Sequence, residues 1–271
     1  MRRLPRRLLV AFAGLLMLAP TAAAAAPAGH GPTVKAITYN IHHGAGVDGV
    51  LDLERIAAVI ESSDADVVGL QEVDKHWGER SNWVDQAAWL ARRLDMHYRY
   101  APNLDLPPAT AGEPRRQYGT AILSRFPIRE FENTLLPLYP GGEQRGLAVA
   151  SIKVRGQELR FANTHLTHNN NAERQEQATK VVDLLSDSRK PTLVVGDLNA
   201  VPTTPEIKIL TAVWQDSWTE VGGPGYTSPA SNPTARIDYL LHSATLRPRS
   251  AEVLSTLASD HLPVTATYTL R

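Results

Sequence analysis

Apolar and polar side chains alternate along residues 34–39, the period-two signature of a strand, and the run ends in Asn40, His42, His43 and Gly44. Residues 53–60 place Leu53, Ile56, Ala57 and Ile60 on one stripe, which predicts a helix with Asp52 as its cap. The continuous apolar run 67–70 predicts a buried strand that stops at Gln71-Glu72-Val73-Asp74. A second helical stripe covers 84–94, and a strand is expected at 97–100. Residues 103–116 are rich in Pro, Ala, Gly and charge, with Pro107-Pro108 among them, and read as a loop. From there the texture turns to strands at 118–124, 128–134, 146–154 and 158–166, with Gly156 at the last hairpin turn. One helix follows at 172–185, buried through Ala178, Val181, Val182 and Leu185. Leu193, Val194 and Val195 then form a short apolar run between Pro191 and Gly196, before a short helix at 205–212 and strands at 235–242, 249–254 and 262–270.

Many strands with a few helices inserted between them suggest two packed sheets covered by helices on the outside. That run of strands disfavours a parallel dinucleotide-binding sheet, in which strands and helices alternate throughout. Neither repeat nor low-complexity segment interrupts 34–271, which reads as one domain. Ahead of it, residues 27–33 read as a linker, and 1–26 as a secretory signal: an Arg-rich start, an apolar run at 8–18, and small residues suited to cleavage near Ala24 to Ala26. That run is too short to span a membrane, which takes roughly 20 apolar residues. Arg6-Arg7 also resembles a weak twin-arginine signal. An extracellular protein is therefore expected. Loss of the leader removes four arginines and no acid, so 24 basic residues face 28 acidic ones and the formal charge falls from 0 to −4. Bulk attraction to a polyanion is absent. With no cysteine in the chain, disulfides and thiolate metal sites are excluded.

Polar residues recur where apolar runs stop. In an extended chain Asp197 and Asn199 point to the same face, the outline of a hard-cation or phosphate site; the alternative is an Asp-Leu-Asn turn that bonds its own backbone. Glu72, one residue beyond the apolar run 67–70, is at a rim by accident or is presented to a ligand. Asn40, His165, Asp238 and the Asp260-His261 pair complete the series, and each has a dull reading: a turn residue, a satisfied core histidine, a partner for Arg236. Together they outline one site at one rim.

The segments TYNIHHG, LQEVD, YGTAILSRFPI, ANTHL, VVGDLNAVP, RIDYLL and SDHLPV resemble, in kind and in order, those of the endonuclease/exonuclease/phosphatase superfamily, over essentially all of 34–271. The resemblance implies an α/β (α+β) four-layer sandwich of the deoxyribonuclease I type, two mixed sheets flanked by helices. It also implies hydrolysis of phosphoric esters with a divalent cation, usually Mg2+, with Mn2+ or Ca2+ as alternatives. Carried over, Glu72 becomes the principal metal ligand, with Asn40 beside it and Asp260 as a further acid. Asp197 orients or deprotonates the attacking water, and Asn199 holds it or a phosphate oxygen. His165 and His261 stabilise charge on the phosphoryl oxygens, and Asp238 orients His261. Arg145 stands where a phosphate-contacting arginine is often found, or is a solvated hairpin charge. The expected substrate is a small or lipid-linked phosphodiester handled by a monomer. A nucleic acid is less favoured, and a silent docking protein is the remote alternative. Trp77, Trp83 and Trp89 are candidates for gripping a membrane or a ring, or are core; His42, His43 and His168 are rim contacts or loop histidines.

Overall fold

The computed structural model describes residues 31–185 and 190–270; the leader expected at 1–26 lies outside them. Among these residues, twelve strands form two sheets of six. In the first, β1 (Thr33–Asn40), β2 (Val67–Lys75), β3 (His97–Leu106) and β4 (Arg116–Ser124) combine with β11 (Leu246–Val253) and β12 (Val264–Leu270) in the order β11-β12-β1-β2-β4-β3. The second takes β5 (Ile128–Leu135), β6 (Gly146–Val154), β7 (Gln157–His165), β8 (Thr192–Asp197), β9 (Gln215–Asp216) and β10 (Asp238–His242) in the order β5-β6-β7-β8-β10-β9.

Each sheet contains one parallel pair closed by a helix, β1-α1-β2 through α1 (Leu53–Ser62) and β7-α3-β8 through α3 (Asn171–Leu185). A parallel pair needs such a crossover, whereas an antiparallel pair such as β6 and β7 can be joined by the short turn Arg155-Gly156. Val67, Ile122, Ala148, Phe161, Val195 and Tyr268 belong to the core between the sheets. Outside the first sheet, α1 and α2 (Gln86–Leu94) bury Ile56, Ile60, Ala87 and Leu90 against Ile37, Tyr39 and Val68. Outside the second, α3 and α4 (Pro205–Thr211) bury Ala178, Val181, Ile207 and Leu210 against Ala162 and Val194. These are the four layers. Asp52 and Asp85 cap α1 and α2 by accepting the backbone N–H of Arg55 and Ala88.

Between the sheets, directly behind the strand ends that matter below, the core is crossed by a polar bridge. Gln71 Nε2 donates to Asn163 Oδ1 at 2.7 Å, and Asn163 Nδ2 donates to the carbonyls of Leu70 and Ala121, each at 2.9 Å. Both side chains are fully buried and both are bonded, so the bridge specifies how one sheet sits on the other without leaving an unpaired group.

Several boundaries differ from expectation: β10 begins three residues later and β11 three residues earlier, and two further differences follow from strand pairing. β2 does not stop at Leu70: a bulge between Leu70 and Val73, with Glu72 in the left-handed region (φ 56°), turns the glutamate aside and lets pairing with β4 resume to Lys75. Likewise β3 runs on through Leu106 across a register shift at Pro102, so the expected loop begins only at residue 107. A short helix, α5 (Ser217–Val221), was not anticipated.

Candidate active site

The parallel pairs end side by side, and their last residues carry the chemistry. Asn40 is opposite Gln71 at the end of β1, His165 is opposite Asp197 at the ends of β7 and β8, and Asp238 is opposite Asp197 at the start of β10. Gly196 makes the approach of β8 to β7 possible: its φ is +151°, and a Cβ there would lie 1.9 Å from the Thr164 carbonyl oxygen.

Asn40 joins the two sheets. Its Nδ2 donates to Glu72 Oε1 at 3.0 Å and to Asp197 Oδ2 at 3.1 Å, while its Oδ1 accepts the His42 N–H at 3.0 Å. Asp197 Oδ1 accepts the backbone N–H of Asn199 at 2.9 Å, and Asn199 is left-handed (φ 50°), so the Asp-Leu-Asn turn forms after all. The expected extended geometry is thereby corrected: a turn, not a straight strand, brings the two side chains together. Asp197 Oδ2 stands 3.4 Å from His165 Nε2 and 3.8 Å from His261 Nε2. Burial, and after it the charge of Asp238, push the Asp197 carboxyl up from the ordinary carboxylate range, against the pull of His261.

The two histidines are held in opposite protonation states. Arg145 is not a solvated charge: it is buried, and its Nη1 donates to His165 Nδ1 at 2.9 Å and meets Glu143 Oε1 at 2.8 Å. A guanidinium only donates, so Nδ1 accepts and the proton of the neutral ring sits on Nε2, facing Asp197. Burial and then the Arg145 charge hold His165 well below the usual histidine range. His261 Nδ1 bonds Asp238 Oδ2 at 2.9 Å. Burial alone disfavours its imidazolium, but Asp238, through charge and hydrogen bond, together with Asp197 and Asp260, outweighs that and pushes it up to about 10. Arg236 does not take Asp238 as its partner; it pairs with Asp216 at 2.8 Å over the Tyr239 ring, which leaves Asp238 to His261.

Glu72 keeps Oε2 free of any hydrogen bond among the described residues. His42 and His43 each bring a ring nitrogen to within 4.8 Å of its carboxylate and of each other. Burial, then Arg80 and His42, lower His43 to about 4, leaving a neutral ring. His42 Nδ1 is shielded from solvent and has no hydrogen-bond partner among the described residues. A free carboxylate oxygen, a neutral imidazole and an orphaned ring nitrogen facing one point fit a divalent cation. Asp260 Oδ1 lies 3.9 Å from His42 Nδ1. The sequence alone offers the two histidines as rim contacts or loop residues; the one local signal is their position two and three residues after the strand-ending Asn40. His168 is exposed at the edge of the site, near enough for its charge to bear on His165. Of the tryptophans, Trp77 packs on Tyr118 at 5.8 Å, Trp83 is exposed, and Trp89 packs half-buried against the core under α2.

The chain is similar to known proteins in sequence and in fold. The chain is 27% identical over 248 residues to the Escherichia coli protein YbhP, spanning 86% of this chain and 94% of the relative. Among solved structures it resembles an endonuclease/exonuclease/phosphatase from Beutenbergia cavernae, with TM-score 0.77 and 29% identity over 88% of this chain and 72% of that one. It also shares its fold with the mannosyl-6-phosphatase Bt3783 of Bacteroides thetaiotaomicron, with TM-score 0.69 and 20% identity over 88% of this chain and all of that one (100%). The model of the Endonuclease/Exonuclease/phosphatase family matches residues 37–261, from β1 to His261, and the chain belongs to that family of phosphoester hydrolases.

Proposed function

We propose that the protein is a divalent-cation-dependent phosphoesterase that cleaves a small or lipid-linked phosphodiester by in-line attack of water. The observation that carries this reading is the position of Asp197 Oδ2, one buried carboxylate oxygen faced by Asn40, a neutral histidine and a cationic one. In the proposed reaction Asp197 accepts a proton from water as its oxygen bonds to phosphorus and the bond to the leaving oxygen breaks. A raised carboxyl suits that task, because a stronger base results. His165 donates from Nε2, and His261 offers a positive charge, to the non-bridging oxygens where negative charge builds. Asn199, with its amide nitrogen 3.1 Å from His165 Nε2 and 3.0 Å from the Leu166 carbonyl, lines the same space and positions the water or a phosphoryl oxygen. Glu72, with Asn40 beside it, holds a cation, Mg2+ or Mn2+, which when bound acts as a Lewis acid on the phosphoryl group.

The mature charge of −4 argues against DNA, where each neutralised phosphate adds affinity and a salt slope of about −0.9. Exposed Val47, Val50 and Leu257 favour an amphiphilic substrate: the backbone of Val47 bonds that of Leu257 at 3.0 Å, so the loops after His43 and before Asp260 meet in an apolar rim. An extracellular setting is part of the proposal and rests on the leader. Among the described residues no helix is long and apolar enough to cross a membrane.

The test offers plasmid DNA, choline- and inositol-bearing phospholipids, and simple phosphomonoesters and diesters side by side, with Mg2+, Mn2+ or Ca2+. Head-group release or diester cleavage that chelation abolishes, and that Glu72→Gln loses, is the expected result. Rapid nicking of DNA with no turnover of the small diesters or lipids would reverse the substrate assignment.

A further inference from the structure

Ten non-glycine residues among those described have positive φ, and four of them lie at this site: His42 (43°), His43 (44°), Glu72 (56°) and Asn199 (50°). Asparagine tolerates the left-handed region through its short polar side chain, but for histidine and glutamate each such residue costs on the order of 1 kcal/mol or more. A histidine pair in the turn after β1 and a glutamate in the bulge of the neighbouring β2 share that cost, and their ligand atoms gather within 4.8 Å. The two rings sit 4.5 Å apart at 63°, edge to face, so their nitrogens are not aligned in a stack. Ligand atoms around a cation at about 2.1 Å stand roughly 3 to 4.2 Å apart, so small side-chain rotations close the group.

We propose that His42 and His43 are, with Glu72, direct ligands of the cation, and that this mixed nitrogen and oxygen set favours Mn2+ and later divalent metals over Mg2+. The inference rests on the cation-dependent reading above. Its chemistry is elementary: Mg2+ prefers oxygen donors and retains its waters, whereas imidazole nitrogen is a good donor to Mn2+, Co2+ and Zn2+. If the histidines only packed against each other, nothing would require the solvent-shielded His42 Nδ1 to lack a hydrogen bond beside a free Glu72 oxygen.

The experiment is metal titration by calorimetry, with Mn2+ and Mg2+ separately, on the metal-stripped wild-type protein, His42→Asn/His43→Asn and Glu72→Gln, joined to pulsed EPR of the bound Mn2+. Asparagine is chosen because it accepts the left-handed backbone. The wild type is expected to bind Mn2+ about tenfold or more tighter than Mg2+ and to show imidazole nitrogen coupling; the double variant loses the coupling and most of the preference. Bound Mn2+ without nitrogen coupling in the wild type overturns the inference while leaving the cation-dependent reading intact, and needs no variant to fold. An unchanged Mn2+ to Mg2+ ratio in a folded double variant does the same. Failure of the wild type to bind either metal at millimolar concentration, or full turnover after stripping, overturns both.

Discussion

Replacing Asp238 by asparagine removes one charge while keeping an oxygen that can accept the His261 Nδ1–H at the present 2.9 Å. The distance between an ordinary 6.5 and about 10 for His261 corresponds to roughly 5 kcal/mol of preference for the protonated ring, at about 1.4 kcal/mol per tenfold step. Burial opposes that preference, and Asp238 is first among the groups that overcome it. In Asp238→Asn burial should therefore regain control and bring His261 to about 6.5 or below, leaving only about 3% of the ring protonated at pH 8. If the imidazolium stabilises the transition state, the ratio of variant to parent kcat should fall about 25-fold between pH 6 and pH 8, since His261 of the parent stays protonated until the pH nears 10. The sign for stability agrees. A histidine whose folded value lies above its unfolded one contributes fully below about 6.5, and the contribution fades as pH rises through about 10. The variant should be less stable than the parent at pH 6 and approach it in alkali. Heteronuclear NMR titration of His261 in the metal-free protein is the direct assay. A His261 that still titrates near 10 in Asp238→Asn would refute the reasoning, whatever the activity.

Asp197→Asn should lose on the order of 10² to 10⁴ in kcat, the usual share of a general base, while Mn2+ affinity measured by calorimetry changes little. Full turnover in this variant would remove Asp197 from the mechanism. Gly69→Ala probes the docking of the sheets: its Cβ would lie 2.6 Å from Val195 Cγ2 and 3.1 Å from Asn163 Oδ1, so about 1 to 3 kcal/mol of stability should be lost in urea unfolding. An unchanged midpoint would mean that the interface yields freely at that point.

Periodicity within single segments located the strands and helices, because burial of one stripe or alternate positions is a local constraint. What it could not locate is whatever depends on a partner strand. The bulge at Glu72 exists because β2 must stay paired with β4 beyond it, and β3 continues across Pro102 for the same reason. Asp197 and Asn199 were recognisable as a site, yet the turn between them is closed by Asp197's own acceptance of a backbone N–H. The burial of Arg145 follows from β6 lying beside β7, which no feature of its hairpin announces. His42 and His43 meet Glu72 only because β1 and β2 run parallel, with Asn40 opposite Gln71.

The path of the chain through the sheets has a consequence for its synthesis. β1 to β4 enter the first sheet, six strands then build the second, and β11 and β12 return to the first, where β12 pairs with β1 from Thr33 opposite Thr269 to Thr38 opposite Val264. The return carries Ser259, whose hydroxyl bonds the Asn40 carbonyl at 2.7 Å, and His261 beside Asp197. A growing chain thus makes Asn40 and Glu72 early and must leave the flank of β1 unpaired until the carboxyl-terminal strand arrives. Contacts of such long sequence separation form slowly. Before they form, His261 is not held beside Asp197, so the proposed site is completed only by the last part of the chain to be made.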